Sequence, residues 1–519
     1  MNQTQINELL NKALTLHQEG ALKEADDLYL KILKHDKNSF QANHLHGCIL
    51  SQFNNHSDAI YFLEKSISIS KDNYEANNNL AIAYKNTKHY EKSESFFLKA
   101  ISIDPKNYKA YFNYANLNID LKKYDEAIVS LKEAYACNKN LAEALQRIGE
   151  IFQYKFQSDR DTNHLNESKK WFSKAIEIDE LYEDAYMLSG ISSLWLGNIN
   201  EADMFFKKQL NIANNSEINF NNNLVKYYTD IKCLSSFIRH EFEQLTYIDS
   251  DIDGIRNPKF TKDYYKSLEV LYKKVNSGTL ISKDISKTFK KDMHKVLYNK
   301  SPKNISYNLL NERNNIKKLE DIYLSGNPEI LVIDDFLSEQ ALHDIQKFCR
   351  NANIFKYPYQ SGYVGAFLTK GLSNKFMLKL SEDLRLTYKR IFNEFRLAQA
   401  WIFKYDSKKE GTNIHADQAS VNVNFWISPE LSNLNKSSGG LQVWNDLPPD
   451  NWNFDSYNSI DRSPEIKRML EKNNISKKII PYKENRAVIF NSKLFHATDD
   501  FEFDDAYENR RVNITLLYD

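Results

Sequence analysis

The sequence predicts a multidomain chain in which an all-α array of repeated helix pairs precedes an α+β domain. Three observations predict this division. Small residues recur every 34 positions in the first part of the chain, apolar and polar residues alternate in several segments after residue 326, and 519 residues exceed what one hydrophobic core usually serves. We therefore expect an array over residues 1–215, a helical connector over 216–325 and the α+β domain over 326–519.

The repeat is visible as small residues in register, each followed twelve positions later by a second small residue and then by a large one. The first small residues of the six repeats are Ala13, Gly47, Ala81, Ala115, Gly149 and Gly190. Small residues let two helices approach closely, and large ones fill the gap between neighbouring pairs. The fifth repeat is seven residues longer than the others. The pattern resembles the tetratricopeptide repeat and predicts about six helix-turn-helix units.

The tetratricopeptide resemblance implies a concave groove that binds a protein or peptide. Asn11, Asn79 and Asn113 occupy the same position of the first helix in repeats one, three and four. Asparagine at that position can hydrogen-bond an extended peptide backbone. Other repeats interrupt the series and the chain is rich in asparagine throughout, so composition alone is the competing explanation.

Composition and charge bound the remaining function classes. Lys+Arg and Asp+Glu are both 69, which argues against a polyanion-binding surface and makes nucleic acid an unfavoured partner. The four cysteines are scattered, and we interpret them as buried thiols in a reducing compartment. The sequence shows neither a signal-peptide pattern nor an apolar run as long as a membrane span. We therefore expect a cytoplasmic protein with no membrane partner.

The connector and the start of the α+β domain are predicted from their periodicity. Apolar spacing indicates helices at 220–247 and 264–275, in a connector that we expect to pack on the α+β domain. A strand is predicted at 329–333, followed by a helix that Ser338 caps. A further helix at 374–395 precedes a strand that ends at Tyr405.

The stretch 411–426 carries the strongest chemical signal. His415 and Asp417 lie two residues apart at the start of an alternating run that predicts a strand, where residues i and i+2 face the same side. His496 follows a second strand-like run and offers a third ligand. Two histidines and a carboxylate on one face of a metal suit non-haem Fe(II) oxygenases. The His-x-Asp at 56–58 lies in the helical array, where such a pair does not chelate.

The last strand of the sequence completes the pattern. Alternation from residue 511 to residue 518 places Arg511, Asn513 and Thr515 on one face, while Arg510 faces the other way and is interpreted as a solvated edge residue. With its His-x-Asp, distal His and Arg-x-polar strand, the region 326–519 resembles a 2-oxoglutarate and Fe(II)-dependent dioxygenase domain. The resemblance implies a double-stranded β-helix, a jelly-roll or cupin-like fold.

The dioxygenase resemblance also implies roles for individual residues. It makes His415, Asp417 and His496 the Fe(II) ligands. Arg511 would pair with the distal carboxylate of the cosubstrate 2-oxoglutarate, with Tyr405 and Asn513 beside it. O2 is the second cosubstrate, ascorbate is an expected stimulant, and no catalytic residue is predicted beyond these ligands. His496 follows His415 by 81 residues, which we attribute to an inserted loop over 445–478.

Several substrates remain open at this point. A protein or peptide captured by the repeats is favoured, since a peptide-binding array is fused to an oxygenase-like domain. Prolyl specificity is not supported, because collagen prolyl hydroxylases typically hold 2-oxoglutarate by a lysine where this chain has Ala506. A nucleic-acid demethylase is the second alternative, since Arg511, Asn513 and Thr515 resemble a strand of the AlkB-type enzymes. The arginine that those enzymes carry two residues later is Leu517 here, and the balanced charge also counts against this alternative. A small molecule or sugar is a further alternative. A non-catalytic protein-interaction scaffold is the alternative of a different class.

Overall fold

The structure is a computed structural model, and it covers most of the chain in two compact units. The units span Met1–Ala185 and Tyr186–Asp519. Part of the helix predicted at 220–247 and residues 411–412 of the metal-binding stretch lie outside the described residues. Among the residues described, no helix is long and apolar enough to cross a membrane. The described residues are 1–215, 230–250, 262–296, 299, 301–302, 305–406, 408–409, 413–458 and 460–519.

The first unit consists of consecutive helices packed in pairs, which confirms the predicted helical array. The pairing continues into the second unit with α11 and α12. The helices are α1 (Gln3–Gln18), α2 (Leu22–His35), α3 (Phe40–Gln52), α4 (His56–Ile69), α5 (Tyr74–Asn86), α6 (Tyr90–Ile103), α7 (Tyr108–Asp120), α8 (Tyr124–Cys137), α9 (Ala142–Asp159), α10 (Thr162–Ile178), α11 (Glu183–Trp195) and α12 (Ile199–Asn215).

The small residues of the repeat lie where two helices of a pair touch. A Cβ added to Gly47 would approach Leu63 to 2.8 Å, and one added to Gly149 would approach the Phe172 ring to 2.3 Å. Glycine at these positions is therefore required by the close packing of the pair. The seven extra residues of the fifth repeat lengthen its helices to 18 and 17 residues, against 13 or 14 in α3–α8.

The second unit is an α+β region whose helices surround antiparallel sheets. Its further α-helices are α13 (Ile231–Ser250), α14 (Lys262–Asn276), α15 (Lys287–Asp292), α16 (Ile316–Ser325), α17 (Glu339–Asn351), α18 (Lys375–Thr387), α19 (Lys389–Phe392), α20 (Phe454–Asn458) and α21 (Ser463–Lys472). Its strands are β1 (Ile330–Ile333), β2 (Tyr357–Tyr359), β3 (Tyr363–Phe367), β4 (Leu397–Tyr405), β5 (Lys408–Lys409), β6 (Val421–Trp426), β7 (Leu441–Trp444), β8 (Lys477–Ile480), β9 (Ala487–Asn491), β10 (His496–Thr498), β11 (Phe501–Glu502) and β12 (Val512–Tyr518).

The strands form a large sheet and two small ones. Seven strands pair in the order β1-β9-β6-β12-β4-β3-β2, three pair as β10-β7-β8, and β11 pairs with β5. Every pairing between these strands is antiparallel. This confirms the predicted α+β character of the C-terminal region.

The two faces of the seven-stranded sheet have different neighbours. On β12, Ile514 and Leu516 join a large apolar cluster that includes residues of α17 and α18. Phe490 of β9 points to the opposite face and joins Val443 and Ile480 of the three-stranded sheet. The large sheet is therefore packed between helices on one face and the three-stranded sheet on the other.

Three predictions about local structure need correction. The segment 445–478 is not a plain loop, because it contains α20 and α21 and the start of β8. The long helix predicted at 374–395 is divided into α18 and α19. The cysteines are free thiols, but Cys137 is exposed and Cys48 is half-buried, so the interpretation as buried thiols fits only the other two.

The described part of the connector packs on the α+β region through α13. Glu241 of this helix forms a buried ion pair with Lys356, at 2.7 Å, just before β2. The side-chain amide of Gln244 donates to the carbonyl oxygen of Ala352 at 2.8 Å.

Candidate metal centre

Three side chains that can bind a metal converge between the two larger sheets. The ligating atoms of His415, Asp417 and His496 all lie within 4.8 Å of one another. His415 Nε2 is 3.8 Å from one carboxylate oxygen of Asp417, and His496 Nε2 is 3.4 Å from the other. Both imidazoles therefore present their Nε2 atoms to the same carboxylate.

The backbone that positions these ligands differs from the prediction. His415 and Asp417 precede β6 instead of opening it, so strand alternation is not what aligns them. A two-way backbone bridge joins His415 to His496, with N···O distances of 3.1 and 2.8 Å. The amide of Asp417 donates to the carbonyl oxygen of Ser492 at 3.1 Å. These backbone hydrogen bonds between distant segments bring together His415 and His496, which are 81 residues apart in the sequence.

Hydrogen bonds fix the orientation of both imidazole rings. His415 Nδ1 lies 2.9 Å from the carbonyl oxygen of Asn413, and His496 Nδ1 lies 2.9 Å from that of Leu494. A carbonyl oxygen only accepts, so each Nδ1 carries the proton and each Nε2 keeps its lone pair for a metal. Such second contacts hold the tautomer and orientation of metal-binding histidines.

The protonation states also suit a cation. Burial and the nearby His496 lower the pKa of His415, which keeps its ring neutral. Burial by itself would raise the pKa of Asp417. His496, His415 and the amide of Asn422, which donates to Asp417 Oδ2 at 2.9 Å, together hold that pKa below its usual value. The carboxylate is thus ionised and available as a ligand.

The inserted segment 445–478 braces the residues that alternate with the ligands. The backbone N–H of Ile414 donates to Ser463 Oγ at 2.9 Å. On the far side of His415, the N–H of Ala416 donates to the carbonyl of Tyr457 at 3.3 Å, and its carbonyl accepts from Asn458 at 3.2 Å. The insertion therefore fixes the backbone of the His-x-Asp pair.

Arg511 lies on the same sheet face as the ligands and is 1% exposed. Its Nε donates to the carbonyl of Gly439 at 2.8 Å, in a turn that requires the positive φ of that glycine. Its Nη1 is buried and has no hydrogen-bond partner among the residues that the structure describes. The guanidinium stacks over the ring of Tyr405 at 4.9 Å. Burial lowers the pKa of Arg511, yet arginine stays protonated in proteins. The result is a buried cation with an unused donor.

Arg510 faces away from Arg511, as alternation predicts, but it is not a solvated edge residue. It is 4% exposed and its Nη1 forms an ion pair with Glu243 of α13 at 2.6 Å. The prediction was wrong because the helix that supplies Glu243 lies far away in the sequence. Arg510 already has a carboxylate partner, so its charge is not available to a small ligand.

A cavity of about 500 Å³ joins the metal ligands to Tyr405 and Asn513. Its floor includes two asparagines of β6 that were not predicted as site residues, Asn422 and Asn424. The side-chain oxygens of Asn422, Asn424 and Asn513 are buried there and have no hydrogen-bond partner in the described part of the chain. The Val-Asn-Val-Asn run at 421–424 was a usable signal, since amides at alternate positions of a buried strand need a polar neighbour.

Two of the three asparagines predicted to line the groove of the first unit have side-chain partners of their own. The Asn79 amide lies 3.0 Å from His44 Nε2, and the Asn113 amide donates to Asn78 Oδ1 at 3.0 Å. Peptide binding by Asn11, Asn79 and Asn113 therefore stays a prediction.

Comparison with known proteins identifies the repeats. Two family models described as tetratricopeptide repeat match residues 74–107 and 96–129. This confirms tetratricopeptide repeats, a protein-interaction module, in the first unit. No curated protein matches the chain.

Solved structures with detectable similarity are small relative to this chain. YrrB, described as a TPR protein with an unusual peptide-binding site, shares 20% identity over 36% of this chain and 91% of its own, with a TM-score of 0.29. PilW, a type IV pilus biogenesis factor, shares 20% identity over 42% and 97%, with a TM-score of 0.37. PilF of Pseudomonas aeruginosa shares 14% identity over 41% and 93%, with a TM-score of 0.34.

Proposed function

We propose that this protein is a 2-oxoglutarate- and Fe(II)-dependent dioxygenase that hydroxylates a protein or peptide recruited by its repeats. The proposal rests on one observation: the His-Asp-His cluster and the buried Arg511 lie on the same face of the sheet. The Nη1 atom of Arg511 has no hydrogen-bond partner among the described residues. Two imidazoles and one carboxylate leave coordination positions open, which suits non-haem Fe(II). A planar guanidinium suits the distal carboxylate of 2-oxoglutarate.

The fold proposal follows from the arrangement of the sheets. We infer a double-stranded β-helix over 326–519, because a seven-stranded and a three-stranded antiparallel sheet face each other across a shared apolar cluster. His496 begins a strand of the smaller sheet, and Asp417 precedes a strand of the larger one. The metal ligands therefore come from both layers of the fold.

The roles of individual residues follow from their contacts. His415, Asp417 and His496 hold the metal, and the carbonyls of Asn413 and Leu494 keep the two rings in the binding tautomer. Arg511 binds the distal carboxylate of 2-oxoglutarate, beside Tyr405, and Asn513 offers a neutral polar contact. The sheets exclude water from the guanidinium, which strengthens its attraction for an anion.

Fe(II) and 2-oxoglutarate, when bound, supply the oxidation of a substrate C–H bond to C–OH by O2, with the second oxygen atom entering succinate and CO2 released. The chain's part is to orient both cosubstrates and to hold the substrate beside them. Tetratricopeptide repeats bind proteins and peptides, which supports a polypeptide as the substrate.

Succinate formation from 2-oxoglutarate tests the proposal directly. We expect the purified protein with Fe(II), O2 and ascorbate to release succinate, and His415→Ala to lose this turnover because one of three ligands is missing. His343→Ala changes an exposed histidine of α17 and is the matched control. Absence of both turnover and stabilisation by Mn(II) plus 2-oxoglutarate would instead favour a non-catalytic interaction scaffold.

A further inference from the structure

Five half-exposed aromatic side chains form a continuous surface on the cavity side of β2, β3 and β4, which we name the aromatic strip. Neighbouring ring centroids lie 4.4 to 6.2 Å apart. The strip consists of Tyr359, Tyr363, Phe367, Trp401 and Phe403.

The strip is more exposed than the aromatic core of the same sheet, although Tyr363 and Phe403 also pack against the buried cluster around Tyr405. Aromatic residues that pack the same sheet elsewhere, such as Phe425 and Phe490, are fully buried. The strip rings are partly exposed and line the cavity, and ligand sites are concave and lined mainly by apolar and aromatic side chains with a few polar groups. Gly365 lies among them, and a Cβ there would approach Phe403 to 3.0 Å and Phe367 to 3.1 Å. The absent side chain makes room for both rings.

The strip leads directly to the cosubstrate end of the site. Tyr363 and Phe403 contact the ring of Tyr405, at centroid distances of 5.1 and 6.4 Å, and Tyr405 stacks under Arg511. Trp401 pairs across the sheet with Thr515 of β12, which in turn pairs with Asn424. A group lying on the strip is therefore next to the space that the metal ligands also line.

The cavity offers no charge to a substrate. Among its described lining residues the only acidic or basic side chains are Asp417 and the two histidines, all assigned to the metal. The remaining polar groups are neutral amides and hydroxyls, including Gln399, Asn458 and the unpartnered side-chain oxygen of Asn424. An ammonium, carboxylate or phosphate placed here would lose its hydration without a counter-charge.

We propose that the substrate group entering this cavity is an uncharged aromatic side chain of a peptide. Its ring stacks on Trp401 and Phe403, and its backbone amides meet the neutral polar groups. This proposal rests on the proposed dioxygenase function for the reaction, but not for the binding preference. A nucleic acid is disfavoured because its phosphates would find no Lys or Arg among the described lining residues.

Peptide binding to the protein loaded with Mn(II) and 2-oxoglutarate, a form that does not turn over, tests the preference for aromatic side chains. The probes are acetylated, amidated peptides of one length whose central residue is Phe, Tyr, Trp, Lys or Glu, titrated calorimetrically into the full chain with Mn(II) and 2-oxoglutarate under anaerobic conditions. Ring stacking adds about 0.5–1.5 kcal/mol beyond the burial of area, so we expect the aromatic peptides to bind about two- to tenfold tighter than the Lys and Glu peptides.

Variants of Trp401 show whether the ring is responsible. We expect Trp401→Leu to abolish the preference because it keeps apolar volume and removes the ring, and Trp401→Phe to retain it. Phe53→Leu replaces an aromatic residue that is 50% exposed in the first unit and is the control without effect.

Three outcomes would overturn the substrate proposal: equal affinity for the charged peptides, no measurable peptide binding, or binding of free nucleosides or sugars in place of peptides. Failure of the dioxygenase function is seen separately, as absence of succinate formation and of stabilisation by Mn(II) plus 2-oxoglutarate. With Fe(II) and O2, the preferred peptides should also accelerate succinate release and gain one oxygen atom in the mass spectrum.

Discussion

The two faces of the seven-stranded sheet differ in how completely their side chains are buried and hydrogen-bonded. On the helix-covered face, Ile514 and Leu516 are fully enclosed by apolar neighbours. On the other face, Asn513 carries an amide oxygen without a partner and Trp401 is half-exposed. The side chains of the first face are fully packed by the protein itself. The second face keeps an unpaired hydrogen-bonding group and exposed apolar surface that a ligand can contact.

This difference separates stability from binding within a single strand. Side chains that complete the helix-covered face contribute to folding, since their burial removes apolar area from water. Side chains on the other face leave polar atoms and one charge unsatisfied, a state that costs stability and persists where a ligand completes it. The same substitution at two adjacent residues just before β12 should therefore have very different effects on stability.

The largest expected effect comes from the same substitution at Arg510 and Arg511. We expect Arg510→Met to destabilise the fold by about 3–5 kcal/mol, because it leaves the Glu243 carboxylate buried without its cation. Arg511→Met removes a buried charge that forms no ion pair with a carboxylate among the described residues, so the free energy of unfolding should change by about 1 kcal/mol or less. Urea unfolding followed by circular dichroism measures both changes.

Ligand-dependent stabilisation provides the control for this pair. Addition of Mn(II) and 2-oxoglutarate should raise the unfolding midpoint of wild type and of Arg510→Met, and should lose its effect in Arg511→Met. A second substitution, Glu243→Ala, should restore part of the stability lost in Arg510→Met. Equal ligand stabilisation of both arginine variants would contradict the assignment of Arg511.

The next effect concerns the insertion that braces the metal ligands. Ser463→Ala removes the acceptor of the buried Ile414 N–H without touching the metal or the cavity, so we expect metal affinity to fall about tenfold. Mn(II) titration followed by electron paramagnetic resonance measures the affinity. Ser456→Ala, whose hydroxyl bonds only Asn453 within the insertion, is the matched control. Unchanged metal affinity in Ser463→Ala would mean that the backbone hydrogen bonds between His415 and His496 are sufficient to fix the ligands.

Much of the fold followed from periodicity in the sequence. The sequence pattern predicted a strand that ends at Tyr405, where β4 ends. Alternation placed Arg511, Asn513 and Thr515 on one face of the last strand, because the period of a strand is fixed by backbone geometry. The 34-residue register predicted the helix pairs, since small residues are needed wherever two helices meet closely.

The features that periodicity could not predict depend on contacts between distant segments. Glu243 is 267 residues from Arg510 in sequence, and no local pattern indicates that they pair. The insertion was predicted as a loop because it is rich in Asn, Asp and Pro. In the structure its helices α20 and α21 supply the residues that hydrogen-bond to the backbone of Ile414 and Ala416. The metal ligands were predicted through strand alternation, but tertiary hydrogen bonds align them.

The smallest expected effect tests how far burial determines the contribution of an ion pair to the free energy of unfolding. Asp334, just after β1, accepts from Arg486 Nε at 2.5 Å and lies 3.0 Å from Lys483 Nζ, with 40% of its side chain exposed. Arg486 first, and then Lys483, lower the pKa of Asp334 against the opposing effect of burial. A carboxyl with a depressed folded pKa stabilises the fold above its unfolded pKa of about 3.9, and this contribution is lost as the pH falls through the folded value.

We therefore expect Asp334→Asn to lower stability at neutral pH by about 1 kcal/mol or less, and the difference from wild type to shrink below about pH 4. Urea unfolding at a series of pH values measures this difference, and Asp335→Asn at the neighbouring exposed position is the control. A difference that stays constant with pH would show that the loss comes from packing and not from the ion pair. A loss as large as that of Arg510→Met would show that burial is not what separates the two pairs.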